Sequence, residues 1–239
     1  MADWAPKRFW TAAEVAEAEG GFTVLLDGRP VRTPAKAPLI LPTRAMAEAA
    51  AAEWDAQERE IRPQTMPVTR AANAAIDKVR AQHAEVAALI AAYGESDLIC
   101  HRAEAPAGLA ARQVAAWDPL LDWARAALGA PLIPTVGILP RAQPPESLAA
   151  LHARVSGLDD FALTALSDLV ALSGSLVIGL AAMDDAVAPI ERLWEMSRID
   201  ETWQQEHWGV DAEAAEAASI RRRDFVQARR FRDLARKSA

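Results

Sequence analysis

Carboxylates come closest to a catalytic pattern in this chain. Asp184-Asp185 and Asp200-Glu201 are adjacent pairs, and such pairs can do acid–base work when a pocket raises one pKa. Both pairs fall on polar helix ends or faces, where solvation or contact with a partner accounts for them. The four histidines are His83, His101, His152 and His207, and no two have the i, i+4 spacing of a shared helical metal site. Cys100 and His101 are neighbours, and neighbours on a strand point to opposite faces. Cys100 is the single cysteine, so an internal disulfide and a thiolate zinc site are both excluded. Ser173-Gly174-Ser175 to Gly179 lacks the lysine and the spacing of a phosphate loop, and no Gly-x-Ser-x-Gly elbow is present. The spacing gives no metal site and no phosphate loop; a Ser/His/Asp triad is recognised by geometry and not by sequence order.

Charge narrows the choice further. The 239 residues carry a formal charge of −7, which argues against a nucleic-acid binder. The distribution is uneven. Residues 184–218 hold ten acidic and two basic side chains, while 219–239 hold eight basic and two acidic. The sharpest basic run is Ile220-Arg221-Arg222-Arg223. With Phe225, Ala228, Phe231 and Leu234 it reads as an amphipathic helix, acidic at its start and basic towards Lys237. That order suits a helix dipole. Residues 162–183 carry one charge, Asp168, and imitate a membrane span in length. The serines and glycines inside the stretch make it a buried helix pair broken near Ser173-Gly174. The opening Met1-Ala2-Asp3-Trp4 has no apolar signal core, so a cytoplasmic protein without membrane insertion is expected.

The elements that must position these residues fall in two groups. Phe22, Val24 and Leu26 alternate with Thr23 and Leu25, and Asp27-Gly28 follows, a hairpin signal. Gly20-Gly21 marks an earlier turn, and Pro38-Leu39-Ile40-Leu41 reads as a further short strand. Thr43 is the cap of a helix carrying Met46, Ala49, Ala50, Glu53, Trp54 and Gln57. That helix covers the sheet, and Arg62-Pro63 ends it. Thr69 reads as the next cap, and helices follow to the end. Trp117-Asp118-Pro119 suggests one helix ending and another starting, and Leu128-Gly129-Ala130-Pro131 a stop. Residues 131–144 form a loop. Helices are expected over 145–156, 159–172 and 175–183. Another starts at Pro189, carries an apolar stripe of Leu193, Met196, Ile199 and Trp203, and ends at Trp208-Gly209. Asp211 caps the last. The expected fold class is α+β, mainly α: an N-terminal antiparallel sheet with its covering helix over 1–75, then helices over 76–239.

Several segments resemble, in order and spacing, the family of assembly chaperones for the alpha subunit of the F-type ATP synthase. They are Lys7-Arg8-Phe9-Trp10 and Val24 through Pro34; Ala52 through Gln57 with Met66-Pro67-Val68-Thr69; and Ala75-Ile76-Asp77. Further along come Ser96 through Arg102 with Gln113; Trp117 through Leu121; and Asp200-Glu201, Gln204, Trp208-Gly209 and Asp211. His101 and Trp10 depart from the pattern, which has Tyr more usually at both places.

The resemblance implies a small α/β domain followed by an orthogonal helical bundle, with no catalysis, no cofactor and no nucleotide hydrolysis. It implies a cytoplasmic protein here, with eukaryotic relatives in the mitochondrial matrix. It further implies that the protein binds the free ATP synthase alpha subunit until the beta subunit replaces it. An acidic residue near the C-terminal end matters to the family; Glu201 fits first, then Asp211 and Glu213. Free alpha exposes apolar surface that would aggregate, and covering it calls for aromatic anchors inside a polar rim. Trp203, Gln204 and Trp208 join the three acids as candidate partner-binding residues, with core packing as the competing reading of both tryptophans. A monomer is expected, since no coiled-coil seam is visible. Two other readings stand beside this one. A carboxylate-dependent hydrolase or isomerase requires two acids converging in one polar pocket. A nucleic-acid adaptor requires Arg221, Arg222 and Arg223 to meet phosphates.

Overall fold

Asp27 and Gly28 take φ angles of 47° and 77° in the computed structural model, which describes residues 7–137 and 141–236. Met1–Trp4, the 138–140 part of the expected loop, and Lys237 lie outside that range. The turn they make joins β2 (Gly21–Leu26) to the two-residue β3 (Arg29–Pro30), and β1 (Ala13–Ala18) pairs antiparallel on the other edge with Val15 opposite Val24. The Asp27 carboxylate accepts the N–H groups of Thr11 and Ala12 at 3.0 Å. Those backbone donors hold its pKa below the ordinary value.

The architecture is α+β and dominated by helix, and the chain divides into two units. The first holds the described residues through Gln82, Asp159–Ala165 and the described residues from Arg230. The second holds His83–Leu158 and Leu166–Arg229.

In the first unit α1 (Arg44–Asp55) starts where Thr43 Oγ1 accepts the Met46 N–H at 3.1 Å, and it ends before the expected stop at Arg62-Pro63, the Gln57 side-chain amide donating to the Glu53 carbonyl at 2.9 Å. It buries Met46, Ala47, Ala50 and Ala51 against the strands. The expected strand at Pro38–Leu41 does not form. Pro38 bridges Arg32 and Leu41 bridges Phe22, each in isolation, because between them the Ile40 N–H turns back to the Pro38 carbonyl. Thr69 is not a cap either. Helix α2 (Pro67–Ala74) begins at Pro67, and Glu53 of α1 accepts the N–H groups of Val68 and Thr69 at 2.7 and 2.8 Å. Burial pushes the Glu53 pKa up against those bonds.

In the second unit α3 (His83–Ala91) packs on α5 (Pro145–Ser156). Helix α4 runs unbroken from Ala107 to Leu128 with Pro119 inside it, a correction to the expected break. An interior proline costs about 3 kcal/mol. Burying Trp117, Leu120 and Leu121 returns about 1.5–3 kcal/mol per large side chain, so one continuous face outweighs the cost of the proline. A short parallel pair joins β4 (His101–Arg102) to β5 (Thr135–Val136). Residues 162–183 form α6 (Asp160–Ser173) and α7 (Leu176–Ala182), separated at Gly174 with φ 75°. Every residue of α7 is buried. A Cβ at Gly179 would meet Val170 Cγ2 at 2.6 Å, so the small residue permits the close approach of the two helices. Among the described residues no helix is long and apolar enough to cross a membrane.

Asp97 fastens this core. Its carboxylate, fully buried, accepts Ser175 Oγ at 2.5 Å, the Val177 N–H at 3.0 Å and the Ile99 N–H at 3.2 Å. Burial raises its pKa while these donors lower it. The helix expected from Pro189 to Trp208 is two: α8 (Ile190–Ser197) and α9 (Ile199–Trp208), broken at Arg198 with φ −118°. The Trp117 indole N–H donates to the Met196 carbonyl at 2.8 Å and so takes an acceptor that a continuous helix would use itself. The last helix is α10 (Ala212–Ala235).

Candidate functional site

Helix α9 buries none of its ten residues, so apolar packing does not hold it. Polar and aromatic contacts to α4 do. Gln113, 1% exposed, donates from Nε2 to Asp200 Oδ1 at 2.6 Å, and its carbonyl accepts the Ala103 N–H at 2.8 Å. One turn along α9, Trp203 lies against α4 at Gly108, where a Cβ would come within 2.7 Å of the ring. The Arg112 guanidinium sits 4.8 Å from the Trp203 ring centre and pairs with Glu206 at 2.7 Å. His207 stacks on the same ring at 4.2 Å. A cation over a half-buried indole contributes about 0.5–1 kcal/mol, so this clasp substitutes for a buried stripe.

Beyond the clasp the chain turns outward. Gly209, φ 92°, ends α9, and Asp211 caps α10 by accepting the N–H groups of Glu213 and Ala214 at 2.8 and 3.1 Å. On this elbow Trp208 is 78% exposed and Val210 69%. The candidate residues therefore separate. Trp208, Gln204, Asp211 and Glu213 are exposed. Trp203 is half-buried in the clasp, nearer to the packing reading. Glu201 is half-buried and pairs with Arg198 at 2.5 Å, while Asp200 beside it reaches Gln113.

A cleft of about 370 Å³ lies between α4, α8 and α9. Ala115, Ala116, Met196 and Ile199 give it apolar walls, and Arg112, Arg192, Glu195 and Thr202 give it polar ones. Its single carboxylate, Glu195, is engaged by Arg192 at 3.1 Å. The paired acids that a hydrolase needs do not meet in it. Among the described residues no cluster of three His, Cys, Asp or Glu could hold a metal ion.

Arg112 and Gly108 carry the clasp without having stood out in the sequence. Their i, i+4 spacing on α4 was the available signal, but a lone Gly and a lone Arg among alanines point nowhere without the indole they face.

Residues 7–125 match the family described as ATP12 chaperone protein. The fold is similar to the crystal structure of Atp12 from Paracoccus denitrificans at 47% identity, covering 98% of this chain and 100% of that one, with a TM-score of 0.93. A point mutant of the same Paracoccus protein gives 47% identity over 96% and 98% of the two chains, with a TM-score of 0.93. The Atu1473 protein of Agrobacterium tumefaciens is 41% identical over 97% of this chain and 87% of its own, with a TM-score of 0.92. Matched along nearly its whole length at these identities, the chain belongs to the ATP12 chaperone family.

Proposed function

We propose that this protein is a non-enzymatic holdase for ATP synthase assembly. It binds the free alpha subunit of the catalytic head, in the cytoplasm and as a monomer, and yields it to the beta subunit. Trp208 carries the reading. A large indole held 78% exposed on a capped, ordered elbow costs hydration in the free protein and is suited to fill a pocket on a partner. Gln204, Asp211 and Glu213 supply the polar rim around it, and Glu201 and Trp203 fix the helix that presents it. Membership of a chaperone family agrees with this arrangement.

The test is co-capture of alpha from the same cell on the immobilised protein, with beta as control. Capture of alpha, released on adding beta, is the expected result. Absence of alpha from the folded, immobilised protein overturns the assignment of client.

A further inference from the structure

Helix α9 has ten residues and buries none of them. Isolated helices shorter than about 12–15 residues are marginal in water, and the start of α9 carries no side-chain cap. The chain is bent at both of its ends. Arg198 leaves the helical region with φ −118° and ψ 20°, and Gly209 takes φ 92°. These breaks prevent α9 from propagating out of α8 or α10. Its helicity therefore depends on the groups that tie it to α4, on which it packs.

Those ties lie on one side of the helix. Gln113 meets Asp200 at 2.6 Å, the Trp203 ring fits at Gly108, and Arg112 sits over that ring and against Glu206 at 2.7 Å. Asp200, Trp203 and Glu206 are spaced by three, so they face α4 in one stripe. Each tie is a polar or aromatic contact to a half-buried or exposed side chain. Helix α7, with every residue buried, is held quite differently.

We propose that α9 is a latch, which undocks from α4 and unfolds between Arg198 and Gly209 in one local step while α4 and α7 stay folded. Undocking and unfolding coincide because a helix this short does not persist once the clasp is released. The closed latch keeps apolar surface in reserve. Met196 and Ile199 wall the cleft between α4, α8 and α9, and Trp203 fills the notch at Gly108. The open latch gives these three side chains to water without global unfolding.

Native-state hydrogen exchange of the full chain tests this, followed by NMR as urea is raised below the unfolding transition. Amides of residues 203–208 are expected to show one common protection, about a hundredfold or more below that of α7. It changes little with urea, because the step exposes little surface. Gly108→Ala sets a Cβ 2.7 Å from the Trp203 ring, and Arg112→Ala removes the cation over it. Each is expected to speed α9 exchange about tenfold. Val155→Ala, in the core of α5, speeds exchange in α7 about tenfold or more and leaves α9 unchanged, because open and closed latch lose that contact equally. Protection of α9 equal to that of α7, with the same urea dependence, overturns the latch. So does acceleration of α9 and α7 alike by Val155→Ala. Unrelated rates along 203–208 that neither Gly108→Ala nor Arg112→Ala alters also overturn it, since α9 then frays residue by residue.

Discussion

The side-chain amide of Gln113 donates to the carboxylate of Asp200 across 2.6 Å, joining α4 to a helix that has no buried residue of its own. The same side chain accepts from the Ala103 backbone, so one amide fixes three segments. Its two ends are not interchangeable, because one must donate and the other accept.

Gln113→Glu keeps the acceptor for Ala103 but sets a second carboxylate against Asp200. The expected cost is about 2–3 kcal/mol in urea unfolding. Adding Asp200→Asn supplies a donor and restores half or more of the loss. No restoration in the double variant would show that the two side chains are not coupled.

Trp208→Ala removes a side chain that is already in water, so stability changes by less than about 0.5 kcal/mol. Capture of alpha falls by about tenfold or more. Equal capture by variant and wild type would mean that the elbow is not the anchor.

Asp97→Ala leaves Ser175 Oγ and two backbone N–H groups buried without their acceptor. The expected destabilisation is about 3 kcal/mol or more, read as a fall in the urea midpoint at unchanged slope. The wild-type carboxylate has its own pH signature. Its folded pKa is raised, so the folded state holds this proton where the unfolded state has lost it. Its contribution is complete below the ordinary aspartate value of 3.8 and declines as pH rises through the folded pKa. Asp97→Asn removes that decline, which titration of the urea midpoint against pH detects.

Cys100 is 1% exposed, and burial pushes its thiol pKa up to about 12. The thiolate is the reactive form, so iodoacetamide at pH 8 leaves the folded protein unmodified and labels it fully in denaturant, as mass spectrometry would record. Labelling of the native protein at the denatured rate would contradict the buried placement.

Local chemistry was readable wherever one residue decides the backbone. Thr43, Asp211 and Asp27-Gly28 acted where their side chains or φ angles required. Reading failed where a distant group intervened. Glu53 took over the cap expected of Thr69, the Trp117 indole split the helix expected from Pro189 to Trp208 by occupying the Met196 carbonyl, and the buried face of α4 carried Pro119 through. The candidate site was half legible for the same reason. Trp208 and Trp203 are the same residue type five positions apart, and only Gly108 and Arg112, ninety-odd residues earlier, decide that one is clasped and the other left in solvent.

Because Trp208 stands in water while Trp117 is sealed in the core, the elbow carries its own optical probe. Indole emission from Trp208 is open to collisional quenchers and that of Trp117 is shielded from them. Asp211 and Glu213 beside it repel iodide and draw in caesium, so the cation quenches the outer fluorophore more strongly than the anion at equal concentration. A client that seats on the elbow closes off both ions, and its arrival is read from the quenchable part of the emission of the eight tryptophans that Trp208→Ala removes.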